Sequence, residues 1–209
     1  MYTPSAFKDE DLNSLHQHIA NTRLAVLVTQ GEQGLQATHV PLLLDPAVGA
    51  KGTLYGHLAR ANKQWRDLEN GAEVLVVFPG TDAYVSPGFY PSKAGNPRTV
   101  PTWNYVAVHA WGSPRVIHEA APLLDIVRRL SDRHEQGREH PWSVDDAPAD
   151  YIDGMLKAIV GFQLPIDRLQ ANRKLSQNRS AIDQDGVRRG LAASHDPLDN
   201  QLAALMQQP

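Results

Sequence analysis

The chain has 209 residues, 20 basic side chains against 23 acidic ones, 42% apolar residues and no cysteine. That length can bury a full domain core. The absence of thiols excludes disulfides, thiolate metal sites, iron–sulfur clusters and a cysteine nucleophile. A formal charge of -3 gives no global attraction to nucleic acid or anionic lipid. The opening MYTPSAFKDEDLNSLHQHI lacks a basic start followed by an apolar stretch, and no apolar run approaches the roughly 20 residues that span a bilayer, so a soluble cytoplasmic protein without a membrane segment is expected.

From Asp9 to Ile19, Leu12, Leu15 and Ile19 recur at helical spacing behind acidic residues and predict a first helix. Arg23 to Gln30 and Leu35 to Asp45 read as strands joined by the turn Gly31-Glu32-Gln33-Gly34, a hairpin. Thr53 to Ala59 is a third strand, followed by a short helical stretch from Asn62 to Glu69. Glu73 to Phe78 and Ala83 to Ser86 predict two strands separated by a Pro-Gly-Thr-Asp turn. Pro87 to Pro101, with four prolines and two glycines, is a loop.

Thr102 to Ile117 alternates as a long strand, with Trp103, Tyr105, Ala107, His109 and Trp111 on one face and Val106, Val108 and Ala110 on the other. Helices are expected over Glu119 to Glu135 and Pro148 to Ala158, around an acidic loop at 139–150. Ala158 to Leu169 reads as the last long strand, and the polar tail from about Ala171 as one or two helices. Six or seven strands with short turns and a few helices predict a mainly β fold, an antiparallel barrel decorated by helices. The domain is expected over 1–170, with helical insertions at 118–157, and a polar extension over 171–209.

Nine histidines are present, none in an HExxH or comparable ligand spacing, so no metal site is expected. No G-x-S-x-G elbow, GxGxxG loop or Walker-type loop occurs, which leaves no motif for a serine hydrolase, a Rossmann site or a P-loop. His39, His57 and His109 each interrupt an apolar strand, where a histidine commonly serves as a satisfied core or interface residue. Three polar clusters fall at expected strand ends. GHLARANKQW (56–65) leaves a strand for a helix and presents Arg60 beside free backbone N–H groups, an arrangement suited to an anion and equally to an ordinary turn. YVSPGFY (84–90) and VPTWNY (100–105) gather aromatic rings that either close a core rim or wall a flat conjugated ring, with Ser86, Thr102 and Asn104 at its edge. RKLSQNR (173–179) combines three cations with hydroxyl and amide groups, a phosphate cradle or a solvated cap. Together they imply an anionic, aromatic ligand.

The ordered pieces MYTPSAF, ATHVPLLLD, GHLARANKQW, YVSPGFY, VPTWNYVAVHAWG, IVGFQL and KLSQNR resemble the PaiB family, FMN-binding negative transcriptional regulators within the pyridoxamine-phosphate-oxidase-like group. The resemblance implies a six-stranded antiparallel split β-barrel of the FMN-binding type, whose homodimer interface builds two flavin sites. It also implies cofactor-binding roles for His39, His57, Arg60, Asn62, Trp65, Tyr84, Ser86, Tyr90, Thr102, Trp103, Asn104, Lys174, Ser176, Gln177 and Asn178. One departure is visible: Gly88-Phe89 stands where the family commonly has serine and tryptophan, which removes a hydroxyl and shrinks the aromatic platform expected for ring stacking. Three functions follow as alternatives: a flavin-binding regulatory module, an FMN-dependent oxidoreductase using NAD(P)H and a small acceptor, and haem binding through a strand histidine. Direct DNA contact has no helix-turn-helix to support it, and catalytic residues are not identified by any motif.

Overall fold

The computed structural model describes residues 1–95 and 97–207. A two-residue strand β1 (Lys8–Asp9) precedes α1 (Leu12–Asn21), the hairpin β2 (Ala25–Gly31) and β3 (Gly34–Val40), β4 (Leu43–Asp45), β5 (Thr53–Ala59), α2 (Trp65–Glu69) and β6 (Val74–Val85). After the proline-rich loop come β7 (Thr102–Gly112), β8 (Arg115–Ile117), α3 (Ala120–Glu135), α4 (Ala149–Lys157), β9 (Ile159–Pro165), β10 (Arg168–Lys174), α5 (Ala181–Ala192) and α6 (Pro197–Leu205). The strands form two sheets, ordered β1-β10-β7-β6-β2-β3 and β4-β5-β9-β8, and the fold is an antiparallel split barrel with peripheral helices. No described helix is long and apolar enough to cross a membrane.

Six long extended runs underlie these strands, and three are broken near a proline. The breaks at Pro41, Pro114 and Pro165 separate β3 from β4, β7 from β8 and β9 from β10, and each break moves the chain from one sheet to the other. The third corner is satisfied by backbone bonds from Ile166 N–H to the Gly52 carbonyl, 3.0 Å, and from Asp167 N–H to the Trp111 carbonyl, 2.9 Å. Glycine is needed at 112, because a Cβ there would overlap the Pro165 carbonyl oxygen.

Two expectations are corrected. Pro79-Gly80-Thr81-Asp82 is not a turn but the middle of the 12-residue β6. Pairing of β2 with β6 reaches only Val77, so the N–H missing at Pro79 costs no bond to β2. The beginning of the polar tail is also not helical: Arg168 to Lys174 is a strand whose Ala171 and Asn172 pair with Asp9 and Lys8 of β1.

The chain divides into two compact units. The first comprises Met1–Leu15, Pro79–Val108 and the stretch from Gln170 onward; the second comprises His16–Phe78 and His109–Leu169. In the second unit, alternation along the strands buries Leu27, Leu54, Val76, Phe78, Phe162 and Leu164 almost completely. Each is worth roughly 1.5–3 kcal/mol relative to exposure. The other face of β5 and β9 is covered by α3, whose Leu123 and Ile126 lie where a Cβ on Gly161 would project. In the first unit the core gathers Val85, Tyr90, Val106, Leu175, Val187, Leu191 and Leu202.

Candidate functional site

In the second unit, GHLARANKQW closes on itself and on the neighbouring hairpin. A five-residue helix such as α2 is not stable alone. It is held by Gln64, which is fully buried. The Gln64 carboxamide oxygen accepts the Thr38 hydroxyl at 2.5 Å, and its amide donates to the Leu27 carbonyl and Thr29 Oγ1, both at 3.2 Å, and to the Gln36 carbonyl at 3.3 Å. Asn62 donates to Thr38 Oγ1 at 3.0 Å, and its own oxygen accepts the Gln64 N–H at 3.1 Å. The Arg60 guanidinium donates to the Lys157 and Ile159 carbonyls at 2.8 and 2.9 Å, at the C-terminal end of α4 where a cation is favoured. Trp65 Nε1 donates to the Arg60 carbonyl at 3.1 Å. Arg60, Asn62 and Trp65 thus use these polar groups within the fold. Gln64 and Thr38, which sequence reasoning did not single out, are the centre of the network.

The strand histidines separate. His57 lies on the α3 side of its sheet, opposite Gly161; burial lowers its pKa, and its buried Nδ1 has no hydrogen-bond partner among the described residues. His109 is half-buried, with its pKa lowered chiefly by burial, and its ring meets Trp111 edge-on at 5.6 Å. His39 is exposed on β3, opposite Val26, which in turn opposes Val77 on β6. Leu35, Ala37 and His39 continue that face, which also holds Val28 and Leu75, none of them buried. Leu35 is 74% exposed.

The first unit collects the remaining residues. Tyr84 on β6 and Trp103 on β7 are 48% and 54% exposed, with their rings 5.9 Å apart in an edge-to-face pair. Lys174, at the end of β10, donates to Thr102 Oγ1 at 2.6 Å. Burial, and then the neighbouring charge of Arg179, lower its pKa. Among the described residues no carboxylate pairs with Lys174. Its flanking cations diverge: Arg173 reaches the Leu205 carbonyl, and Arg179 lies 4.7 Å above the Tyr90 ring.

Asn104 is fully buried and donates to Ser176 Oγ at 2.8 Å, while its own oxygen has no partner among the described residues. Ser176 holds a φ of 66°, the left-handed region that non-glycine residues rarely adopt. Gln177 caps this turn by accepting the Leu175 N–H at 2.7 Å and donating to the Arg173 carbonyl at 2.5 Å; Asn178 is exposed. Ser86 Oγ accepts the Gly88 N–H at 3.1 Å. Tyr90 is buried with its hydroxyl unpartnered among the described residues. Phe89 lies against α5, where a Cβ on Gly190 would overlap its ring.

A lysine beside a hydroxyl and without a carboxylate partner among the described residues, together with an exposed aromatic pair, fits a ligand with an anionic end and a flat ring. A family model described as "Putative FMN-binding domain" matches residues 1–168. The chain is 33% identical over 210 residues to Protease synthase and sporulation protein PAI 2 of Bacillus subtilis, a match covering 99% of this chain and 97% of that protein. Among solved structures, the flavocytochrome Anf3 of Azotobacter vinelandii superposes with a TM-score of 0.59 at 17% identity, over 80% of this chain and 69% of that one. The FAD and heme binding protein of Mycobacterium smegmatis gives 0.57 at 16% identity, over 85% and 78%. At such identities these two establish the fold alone. The near-complete match to PAI 2 and the family model together show that the chain belongs to the PaiB family of FMN-binding-domain proteins.

Proposed function

We propose that the protein binds FMN as a PaiB-type regulatory module, with the flavin phosphate on Lys174 and Thr102 and the ring system along Tyr84 and Trp103. The observation that carries this reading is the Lys174–Thr102 pair, a half-buried cation next to a hydroxyl and without a carboxylate partner among the described residues. A phosphate would receive a charge-assisted bond from the ammonium and a second bond from the hydroxyl. The exposed aromatic pair offers the apolar wall that a flavin ring requires. FMN, when bound, supplies electron-transfer chemistry; the residues named here bind and orient it. Two copies of the chain associate through the face of Leu35, Ala37, His39, Val26, Val28 and Val77, whose apolar side chains alternate toward solvent.

Titration of the purified protein with FMN, followed by flavin fluorescence and by NAD(P)H oxidation, tests this directly. The reading expects saturable binding with slow or no turnover. Sustained NAD(P)H oxidation would assign an oxidoreductase, and absence of binding would refute the flavin site.

A further inference from the structure

We infer that α5 is the positioning element for the loop that follows Tyr84 and Ser86, a role that rests on the flavin reading above. Asp183, Gly186 and Gly190 recur at i, i+3 and i+7, along one face of α5. A Cβ on Gly190 would overlap the Phe89 ring and lie 2.6 Å from its Cε1, and one on Gly186 would overlap the Phe89 carbonyl oxygen and approach Pro91 Cδ at 2.7 Å. Glycine inside a helix costs about 1 kcal/mol relative to alanine, so two in one face of a 12-residue helix answer to the backbone that packs against them.

The third point of attachment is polar. The buried Asp183 carboxylate accepts both the Ser92 N–H at 3.1 Å and the Ser92 hydroxyl at 2.8 Å. Burial would raise the pKa of this group, but the Ser92 bonds, with Ser180 and Arg179, outweigh it and lower the pKa, so the acceptor stays ionised. Arg179, just before the helix, covers the Tyr90 ring. Residues Phe89 to Ser92 are therefore held consecutively by a segment that lies outside the matched residues 1–168. Ser86 is tied into the same loop through its bond from the Gly88 N–H. The clamp fixes where the chain leaves Tyr84, and so presets one edge of the proposed ring site.

The Ser92 amide reports the clamp without any flavin. Hydrogen exchange at that amide in the apo protein, FMN titration and thermal unfolding are measured for the wild type, Gly190→Ala, Asp183→Leu and the Phe89→Ala/Gly190→Ala pair. Gly190→Ala and Asp183→Leu each accelerate Ser92 exchange and raise the Kd for FMN about tenfold, and the double variant binds FMN more tightly than Gly190→Ala alone because the overlap is relieved. Unchanged Ser92 exchange in Asp183→Leu, which has similar size and no acceptor, overturns the clamp. Accelerated exchange with unchanged FMN affinity overturns its positioning role. A wild type that binds no FMN removes the flavin reading itself, and the wild-type titration tells that failure from the other two.

Discussion

Replacing Lys174 by alanine removes an ammonium that donates to Thr102 Oγ1 at 2.6 Å and has no carboxylate partner among the described residues. Little stability is therefore expected to depend on it, because no partner charge is left unpaired when it goes. For a bound phosphate the loss is one charge-assisted hydrogen bond, about 1.5–3 kcal/mol, or roughly 10- to 150-fold in Kd. Riboflavin, which lacks the phosphate, serves as the control ligand: its affinity should be the same in wild type and Lys174→Ala. The pH dependence gives a second signature. Burial and the charge of Arg179 hold Lys174 below its ordinary 10.5, so the cation of the free protein is lost at lower pH than that of a free lysine. FMN affinity should fall as pH rises into that range in the wild type and stay flat in the variant. Fluorescence titration between pH 7 and 10 measures both effects. Equal losses for FMN and riboflavin, or no loss for either, would place the phosphate elsewhere.

Arg60→Ala and Asn62→Ala, which the family resemblance alone would assign to the flavin, are expected to lower stability by about 1–2 kcal/mol in chemical denaturation while changing the Kd for FMN less than threefold, since their side-chain bonds serve the fold. Gln64→Leu removes four hydrogen bonds, two of them buried, so a loss of about 2–4 kcal/mol is expected; a change under 0.5 kcal/mol would show that the network contributes little. Leu35→Asp, at a position 74% exposed, should leave the circular dichroism spectrum intact and shift sedimentation from dimer to monomer, whereas a dimer that persists would move the interface off this face. The lowered pKa values of His57 and His109 fix the sign of acid sensitivity. The unfolded state takes up these protons first, so stability present above pH 6.5 is lost as the pH falls through the lower folded values, and His57→Asn should flatten the melting temperature between pH 7 and pH 5.

Much of the barrel was legible because its strands alternate: β2 and β7 bury every second side chain, as the apolar pattern indicates. Where inward positions are not apolar the signal failed. β10 buries Ala171 and Asn172, and the Asn172 NH2 donates to the Tyr105 hydroxyl oxygen at 2.8 Å and the Tyr2 carbonyl at 3.3 Å, although its own oxygen has no partner among the described residues, so a polar string folds as a strand. In β6 the Pro-Gly-Thr-Asp string carries the composition of a turn, yet β2 pairing has ended before it and the chain continues extended.

For the candidate site, motif resemblance points to segments without distinguishing the tasks of their residues. Nothing in the letters GHLARANKQW separates an arginine that holds an anion from one that holds two carbonyls. The distinction appears only when α4 brings Lys157 and β9 brings Ile159 to Arg60. The packing of Phe89 is equally hidden in the sequence. Its counterparts are Gly186 and Gly190, nearly a hundred residues further along the chain, and such a pairing leaves no local periodicity to read.

Crystals of the protein grown with FMN test the central claim most directly. The phosphate is predicted within hydrogen-bond distance of Lys174 Nζ and Thr102 Oγ1, with the ring against Tyr84 and Trp103 and a second copy of the chain on the Leu35–Val28–Val77 face. A flavin phosphate bound at Arg60, or a flavin that leaves Lys174 untouched, would contradict it.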